Sequence, residues 1–173
     1  MKGLLPIQAS TQDEIFEEIA ETLDQQGFSM ERTDFNRPWG GFFVIEEKHA
    51  PRFVSTWFPD GDFAELVGER KVSPKILVVA PEKRLSWQYH HRRSEVWRVV
   101  HGEVGVIKSD TDEQGELMRL SEGDLVVLQQ GERHRLVGLE GYGLIAEIWQ
   151  HTDPENPSNE EDIVRLQDDF SRK

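Results

Sequence analysis

Between Leu85 and Gly102 the chain reads Leu-Ser-Trp-Gln-Tyr-His-His-Arg-Arg-Ser-Glu-Val-Trp-Arg-Val-Val-His-Gly, and three of these residues, Gln88, His90 and Glu95, offer donor atoms to a metal ion. A strand sends alternate side chains to one face, so Gln88 and His90 project together. Glu95 stands five residues past His90, an odd separation that an unbroken strand would send to the other face. A turn through His91 to Ser94 brings it back, which predicts two ligands on one strand and a third on its hairpin partner. The chain has no cysteine, so disulfides and thiolate sites are excluded and any transition metal must be held by nitrogen and oxygen.

The elements that position these groups follow from composition and period. At 173 residues and 36% hydrophobic, the chain suits one domain with one compact core and a charged surface. A formal charge of −13 argues against non-specific nucleic-acid binding and against anionic membrane surfaces. An anionic small substrate stays open, because a few arginines in one pocket reverse the local field. The start, Met-Lys-Gly-Leu-Leu-Pro-Ile, lacks the apolar core of a signal peptide, and nothing approaches a membrane span, so the expectation is a cytoplasmic protein.

Residues 10–26 predict a helix. Thr11 and Glu14 have capping-box spacing, Ile15, Phe16, Ile19, Ala20 and Leu23 share one face, and Gly27 supplies a stop. That apolar stripe is expected to pack on the protein's own sheet rather than on a partner. From Arg37 the period becomes that of strands. Extended runs are predicted at 42–46, 53–58, 75–80, 85–90, 95–101, 103–108, 115–120, 124–128, 134–137 and 143–149, with turns such as Asp60-Gly61-Asp62 between them. Strands spaced at about 8–12 residues indicate an antiparallel sandwich or barrel, and no strand–helix–strand unit suggests a parallel sheet. Residues 151–159 read as an exposed loop. Asn159, with Glu160, Glu161 and Asp162 behind it, would cap a short C-terminal helix edged by Ile163, Leu166 and Phe170.

Further spacings extend the first constellation. Six residues separate Glu95 from Gly102; five separate Gly123 from Gln129-Gln130-Gly131, and two more precede His134. The pattern resembles the two-part signature of the cupin superfamily, with Gln88 where the signature has its first histidine, Gln129 for its proline and Gly138 for its final asparagine. Five ordered motifs resemble one branch more closely. Arg37-Pro38-Trp39-Gly40, Leu85 to His90, Arg93 to Trp97 and Glu161 to Leu166, together with Lys75, are similar to the C-terminal cupin domain of type II mannose-6-phosphate isomerases. The similarity runs over about residues 35–173, which sets a division into an N-terminal helical extension, 1–34, and a cupin domain, 35–173. Departures include Pro81-Glu82 for a Pro-Gly pair and Phe170-Ser171-Arg172 for Tyr-Gly-Arg. Longer family members carry a pyrophosphorylase domain ahead of the cupin, which these residues do not contain, so guanylyltransferase activity is not carried over.

The resemblance implies an all-β cupin double-stranded β-helix, or jelly-roll barrel, with an N-terminal helix and a short C-terminal helix. Gln88, His90, Glu95 and His134 would converge inside it as metal ligands. Two imidazoles, a carboxylate and an amide oxygen suit Zn²⁺, Mn²⁺, Fe²⁺ or Ni²⁺, and the resemblance favours zinc. The implied activity interconverts mannose 6-phosphate and fructose 6-phosphate through a cis-enediol. Lys75 and Glu147 are both candidate bases, Lys75 and Arg165 candidate substrate-binding groups, and Arg165 a candidate holder of phosphate or developing charge. Plainer readings stand beside these. Lys75 would snorkel at the surface, Arg165 would pair with Asp162 or Asp169, Arg92 and Arg93 would be a solvated turn, and His49, His91, His101 and His151 would be surface or supporting groups. Trp39, Trp87, Trp97 and Trp149 read as packing. A sugar- or sugar-phosphate-binding cupin without turnover is the rival function, a metal-dependent oxygenase the third, and a homodimer the expected assembly.

Overall fold

Alternation of side chains along each strand decides most of the architecture. The structure, a computed structural model, describes residues 4–59 and 72–171; the Asp60-Gly61-Asp62 turn and Arg172 lie outside them. In chain order the described residues form helix α1 (Gln12–Gln25), strands β1 (Met30–Arg37) and β2 (Gly40–Ile45), helix α2 (Ala50–Trp57) and strand β3 (Val72–Val79). Next come β4 (Trp87–Tyr89), β5 (Arg93–His101), β6 (Glu103–Ser109) and β7 (Met118–Ser121). The series ends with β8 (Leu125–Leu128), β9 (Arg133–Gly138), β10 (Gly143–His151) and β11 (Val164–Gln167).

Two antiparallel sheets face one another, one ordered β1-β2-β3-β10-β5-β8 and the other β11-β4-β9-β6-β7. After β3 the chain crosses from one sheet to the other at nearly every turn, the β6–β7 hairpin excepted, which is the path of a jelly roll. The predicted hairpin between the two ligand-bearing runs is therefore a corner. Strand β4 pairs with β9 and β11, while β5 pairs with β10 and β8, so Gln88 and Glu95 meet across the barrel interior rather than along a ladder. Gly102 likewise turns the chain between sheets, with φ +71°.

The six-stranded sheet is covered on both faces. Its outer side chains, among them Phe43, Ile76, Val78, Val96, Leu144 and Ile148, cluster with Ile15, Phe16, Ile19 and Leu23 of α1 and with Phe53, Val54 and Trp57 of α2. Its inner ones, including Phe42, Leu77, Val79, Trp97, Val99 and Ile145, form a second core with Val104, Val106 and Leu136 of the other sheet. Each fully buried side chain of this size contributes roughly 1.5–3 kcal/mol of transfer free energy. Helix α1 packs on its own sheet, as its stripe predicts. Thr11 occupies the N-cap without a side-chain capping bond. Gly27, at φ +79°, ends the helix, and the Gly27 and Phe28 amides donate to the Asp24 and Leu23 carbonyls. None of the described helices is long and apolar enough to cross a membrane.

Three local expectations change. Residues 53–58, read as extended, lie almost wholly in α2: Ala50, Phe53, Val54 and Trp57 recur at helical spacing and Pro51 sits in its first turn. Residues 30–37, assigned no structure from sequence, form edge strand β1. The C-terminal segment is a strand, not a helix. A helix this short is marginal by itself, whereas β4 offers an open edge that Val164, Arg165 and Gln167 pair with.

Two departures from the cupin signature have structural reasons. A side chain at Gly138 would place its Cβ 2.0 Å from the Ala80 carbonyl oxygen, so asparagine does not fit this backbone. The Gln129 amide donates to Glu132 Oε1 at 3.0 Å, a bond that proline lacks the hydrogen to make.

Candidate metal centre and its cleft

Strand β5 carries the centre by period two. Arg93, Glu95, Trp97 and Val99 point inward in sequence, passing from charge at one end to hydrocarbon at the other. On β10 the inward series is Ile145, Glu147, Trp149, and on β3 it is Val79, Leu77, Lys75. Register sets Glu147 beside Lys75 on one side and Trp97 on the other. From the second sheet, β9 supplies His134 directly opposite Gln88 of β4, and His90 follows at the corner.

His90, Glu95 and His134 are 2% exposed each, and their donor atoms all lie within 4.8 Å of one another. His90 Nε2 is 3.4 Å from one Glu95 oxygen, and His134 Nε2 is 3.6 Å from the other. The outer nitrogens are already engaged: His90 Nδ1 meets the Asp162 carbonyl at 2.7 Å, and His134 Nδ1 meets the Glu132 carbonyl at 3.0 Å. An Nδ1–H donating outward leaves a lone pair on each Nε2 facing inward, the tautomer that ligation requires. His134 Nε2 is buried with no hydrogen-bond partner among the described residues, an arrangement that costs free energy unless something else binds it.

Electrostatics keep the three in their ligating forms. Burial lowers the pKa of His90 to about 3, against an upward pull from Glu95. Burial also lowers that of His134. Burial pushes Glu95 up, but Arg93 and the two histidines outweigh it and hold the carboxyl well below the usual range. Neutral imidazoles and an ionised carboxylate at neutral pH fit a divalent cation. Gln88 sits at the margin. Its Oε1 accepts the Ser86 hydroxyl at 2.6 Å, and its Nε2 lies 3.3 Å from His90 Nε2.

Glu95 and Gln88 line a cleft of about 660 Å³, counted out to its open mouth, whose other walls include Lys75, Glu147, Arg165, Arg37, Arg93 and Trp149; His90 and His134 adjoin it through their contacts with Glu95. All three residues anticipated for substrate chemistry thus face one space. Lys75 is not a snorkelling surface group: it is 6% exposed, lies over the Trp149 ring at 4.0 Å and pairs with Glu160 at 2.6 Å. Glu147 is 4% exposed and accepts from the Trp149 indole. Burial and the nearby Glu95 charge raise its pKa to about 8 despite the opposing pull of Lys75 and Arg93. Arg165 stands opposite Gln88 in the β11–β4 register, half-buried at the cleft wall.

Arg93 and the 158–162 segment were missed as site residues. Rather than lying in a solvated turn, Arg93 is 5% exposed. Its guanidinium donates to Glu95 at 2.9 Å and to Ser158 Oγ at 3.0 Å, and stacks on Trp149 at 3.5 Å. The i, i+2 spacing of Arg93, Glu95 and Trp97 was a signal for this. Asp162 accepts from the His91 and Arg92 amides and from the Ser158 hydroxyl. These bonds outweigh burial and keep its carboxyl low. Asp162 thereby pins the corner that presents His90. Of the other histidines, His151 supports this segment, bonding Ser73 Oγ and accepting from the Ser158 amide, and His49 bonds Ser29 Oγ. Trp87 is packing, as expected, but Trp39, Trp97 and Trp149 also line the cleft.

Two crossing sheets rolled around an inward His–Glu–His cluster define a cupin barrel. Solved structures agree. Oxalate decarboxylase from Bacillus subtilis, in a structure described for its Mn(II) centres, superposes with a TM-score of 0.56 at 15% identity, over 80% of this chain and 32% of that one. KdgF from Halomonas sp. does so with a TM-score of 0.50 at 17% identity, over 76% of this chain and 90% of that one. Residues 47–168 match the model of the family described as mannose-6-phosphate isomerase C-terminal, and the chain belongs to that family. The xanthan biosynthesis protein XanB of Xanthomonas campestris pv. campestris (strain B100) is 29% identical over 134 residues, 75% of this chain. A second strain's XanB is 28% identical over the same share. The chain spans 27% of the length of these relatives.

Proposed function

We propose that this protein is a metal-dependent aldose–ketose isomerase acting on a sugar phosphate, with mannose 6-phosphate and fructose 6-phosphate as the pair. The observation that carries the reading is the shared cleft. It is lined by Glu95 of the ligand cluster, behind which His134 Nε2 is buried without a hydrogen-bond partner among the described residues, by a carboxyl of near-neutral pKa on the adjacent strand, and by several cations. Family membership supports the substrate class.

A divalent ion, zinc by preference, held by His90, Glu95 and His134 with Gln88 at its edge, would supply Lewis-acid polarisation of the sugar's carbonyl and hydroxyl oxygens. The chain's own residues do the rest. Glu147, in its ionised form, takes the proton from C2 and returns it at C1; a pKa close to ambient pH suits a group that must do both. Lys75, next to Glu147 in register and tied to Glu160, serves better as a fixed positive charge than as the base. Arg165 faces the developing enediolate or the phosphate, where a planar guanidinium makes paired hydrogen bonds. Trp39, Trp97 and Trp149 exclude water and cover the apolar face of the sugar.

A second reading, a sugar-phosphate-binding cupin without turnover, is favoured by position 88. There an amide replaces an imidazole, and its oxygen is turned to Ser86. A coupled isomerase assay on metal-analysed protein separates the two. The isomerase reading expects turnover, lost in both His90→Ala and Arg165→Ala. Bound metal with no turnover on any hexose or pentose phosphate establishes the second reading instead.

A further inference from the structure

Glu160 stands between two hollows. The cleft and a second hollow, of about 850 Å³ to its open mouth and lined in part by Arg32, Ser73 and Asn159 and by the acidic residues Glu31 and Glu47, share Lys75, Trp149 and Glu160 as a common wall. A single oxygen of Glu160, Oε1, receives both Lys75 Nζ at 2.6 Å and Arg32 Nη2 at 2.9 Å. The partners differ in freedom. The Lys75 side chain is 7% exposed, whereas those of Arg32 and Glu160 are 49% and 51% exposed.

Three cations meet at one ring beside Glu160. The Phe42 ring has Arg32 at 5.3 Å, Arg37 at 5.4 Å and Lys75 at 5.2 Å from its centroid. Cations gathered this closely around one ring repel one another unless an anion joins them. Asp34 of β1 supplies it to Arg37 at 3.1 Å, and Glu160 supplies it to Lys75 and Arg32 from a connecting segment rather than from either sheet. Its side chain is half-exposed, and an outward rotation would leave Lys75 and Arg32 without the carboxylate oxygen they share.

We propose that Lys75 and Arg32 form an oxyanion subsite at the mouth of the cleft, of the kind that takes a phosphate monoester, and that Glu160 is its built-in occupant, displaced when the ligand enters. One oxygen bridging an ammonium and a guanidinium is an arrangement that a phosphoryl oxygen reproduces, and a phosphate dianion brings further oxygens to the same cations. The subsite would hold the phosphate end of a substrate whose sugar end reaches Glu147 and the His90–Glu95–His134 cluster, leaving Arg165 to the developing charge. The natural ligand rests on the isomerase reading; the anion subsite does not.

The test is calorimetric titration of inorganic phosphate into the metal-free full chain, with folding checked by near-ultraviolet dichroism. E160Q should bind phosphate about tenfold tighter than wild type, since a like charge leaves the site. E161Q, which removes the same charge one residue away, should stay within about twofold, and adding R32Q to E160Q should abolish the gain. E160D, which keeps the charge but shortens its reach, should also tighten phosphate and carries the test if E160Q does not fold. Unchanged affinity in E160Q or E160D, or an equal gain in E161Q, overturns the proposal. Tighter phosphate without isomerase turnover leaves the subsite standing and removes the isomerase reading. Turnover with unchanged phosphate affinity does the reverse.

Discussion

The two faces of the six-stranded sheet are both buried, yet they are built on opposite terms. Outward, β3, β10 and β5 present Ile76 and Val78, then Leu144, Ala146 and Ile148, then Val96 and Val100, all hydrocarbon under α1 and α2. Inward, the same strands run from Val79, Ile145 and Val99 to Lys75, Glu147, Glu95 and Arg93. One backbone thus supports a face that is chiefly hydrocarbon, with Arg98 its buried charge, tied to the Gly123 carbonyl, and a face whose far end is held together by mutual charge. Burying ionised groups costs free energy that only partners return. The inner end satisfies its groups pairwise: Arg93 with Glu95, Lys75 with Glu160, Glu147 with the Trp149 indole. Across the barrel, His134 Nε2 of the second sheet is buried against Glu95 without a hydrogen-bond partner among the described residues, and it marks where this end is organised for a ligand rather than for stability.

The comparison breaks most severely at the outer face. Phe53→Ala, in α2, should cost about 3–5 kcal/mol in chemical denaturation through transfer and cavity terms, while any folded fraction still takes up metal. Next is the inner pair. Arg93→Met leaves Glu95 buried without its guanidinium and should cost about 3 kcal/mol, whereas the double variant Arg93→Met/Glu95→Leu should regain most of that stability and lose metal uptake altogether. If single and double variants are equally destabilised, the ion pair is not what holds this end.

A pH series sharpens the contrast further. The folded pKa of Glu147, about 8, lies above its ordinary value of 4.5. Its contribution to stability is therefore fully present below pH 4.5 and is lost as pH rises through 8. In chelator-treated protein, Glu147→Gln should close a gap on the order of a few kcal/mol that opens between these limits, read as the wild-type-minus-variant difference in denaturation free energy. An outer-face control such as Ile76→Val should show no such pH-dependent difference. The smallest effect belongs to neither face. Glu82 adopts φ +60°, a left-handed conformation unfavourable for a side chain, where the resembling family has glycine. Glu82→Gly should stabilise by at most about 1 kcal/mol, the relief being partly offset by the unfolded-state entropy of glycine.

Much of this was legible in the residues. The two-faced alternation of β3, β5 and β10, the stripe of α1 and the Gly27 stop follow from periods that a short window contains. So does the same-side projection of Gln88 and His90, whereas His134 follows only from the resemblance to the cupin signature. The errors have a common origin. Phe53 to Phe58 is rich in β-forming residues, and only the recurrence from Ala50 to Trp57 shows the helix that tertiary packing selects. Ile163, Leu166 and Phe170 mimic a thin helical edge because nothing local reveals the open edge of β4. Arg93 beside Arg92 resembles a solvated pair until its neighbours in space are counted.

By itself the sequence determined which donor atoms exist, that none is a thiolate, and which side chains share a strand face, because each of these is a matter of residue type and short-range period. Only the tertiary structure decided that β4 and β5 belong to different sheets, so that the ligands meet across a barrel rather than along a hairpin. It alone placed Glu160 on Lys75, 85 residues away in the chain, and surrounded Glu147 closely enough to raise its pKa. Strand partnership, burial and electrostatic environment are sums over residues distant in sequence, and no local pattern carries them.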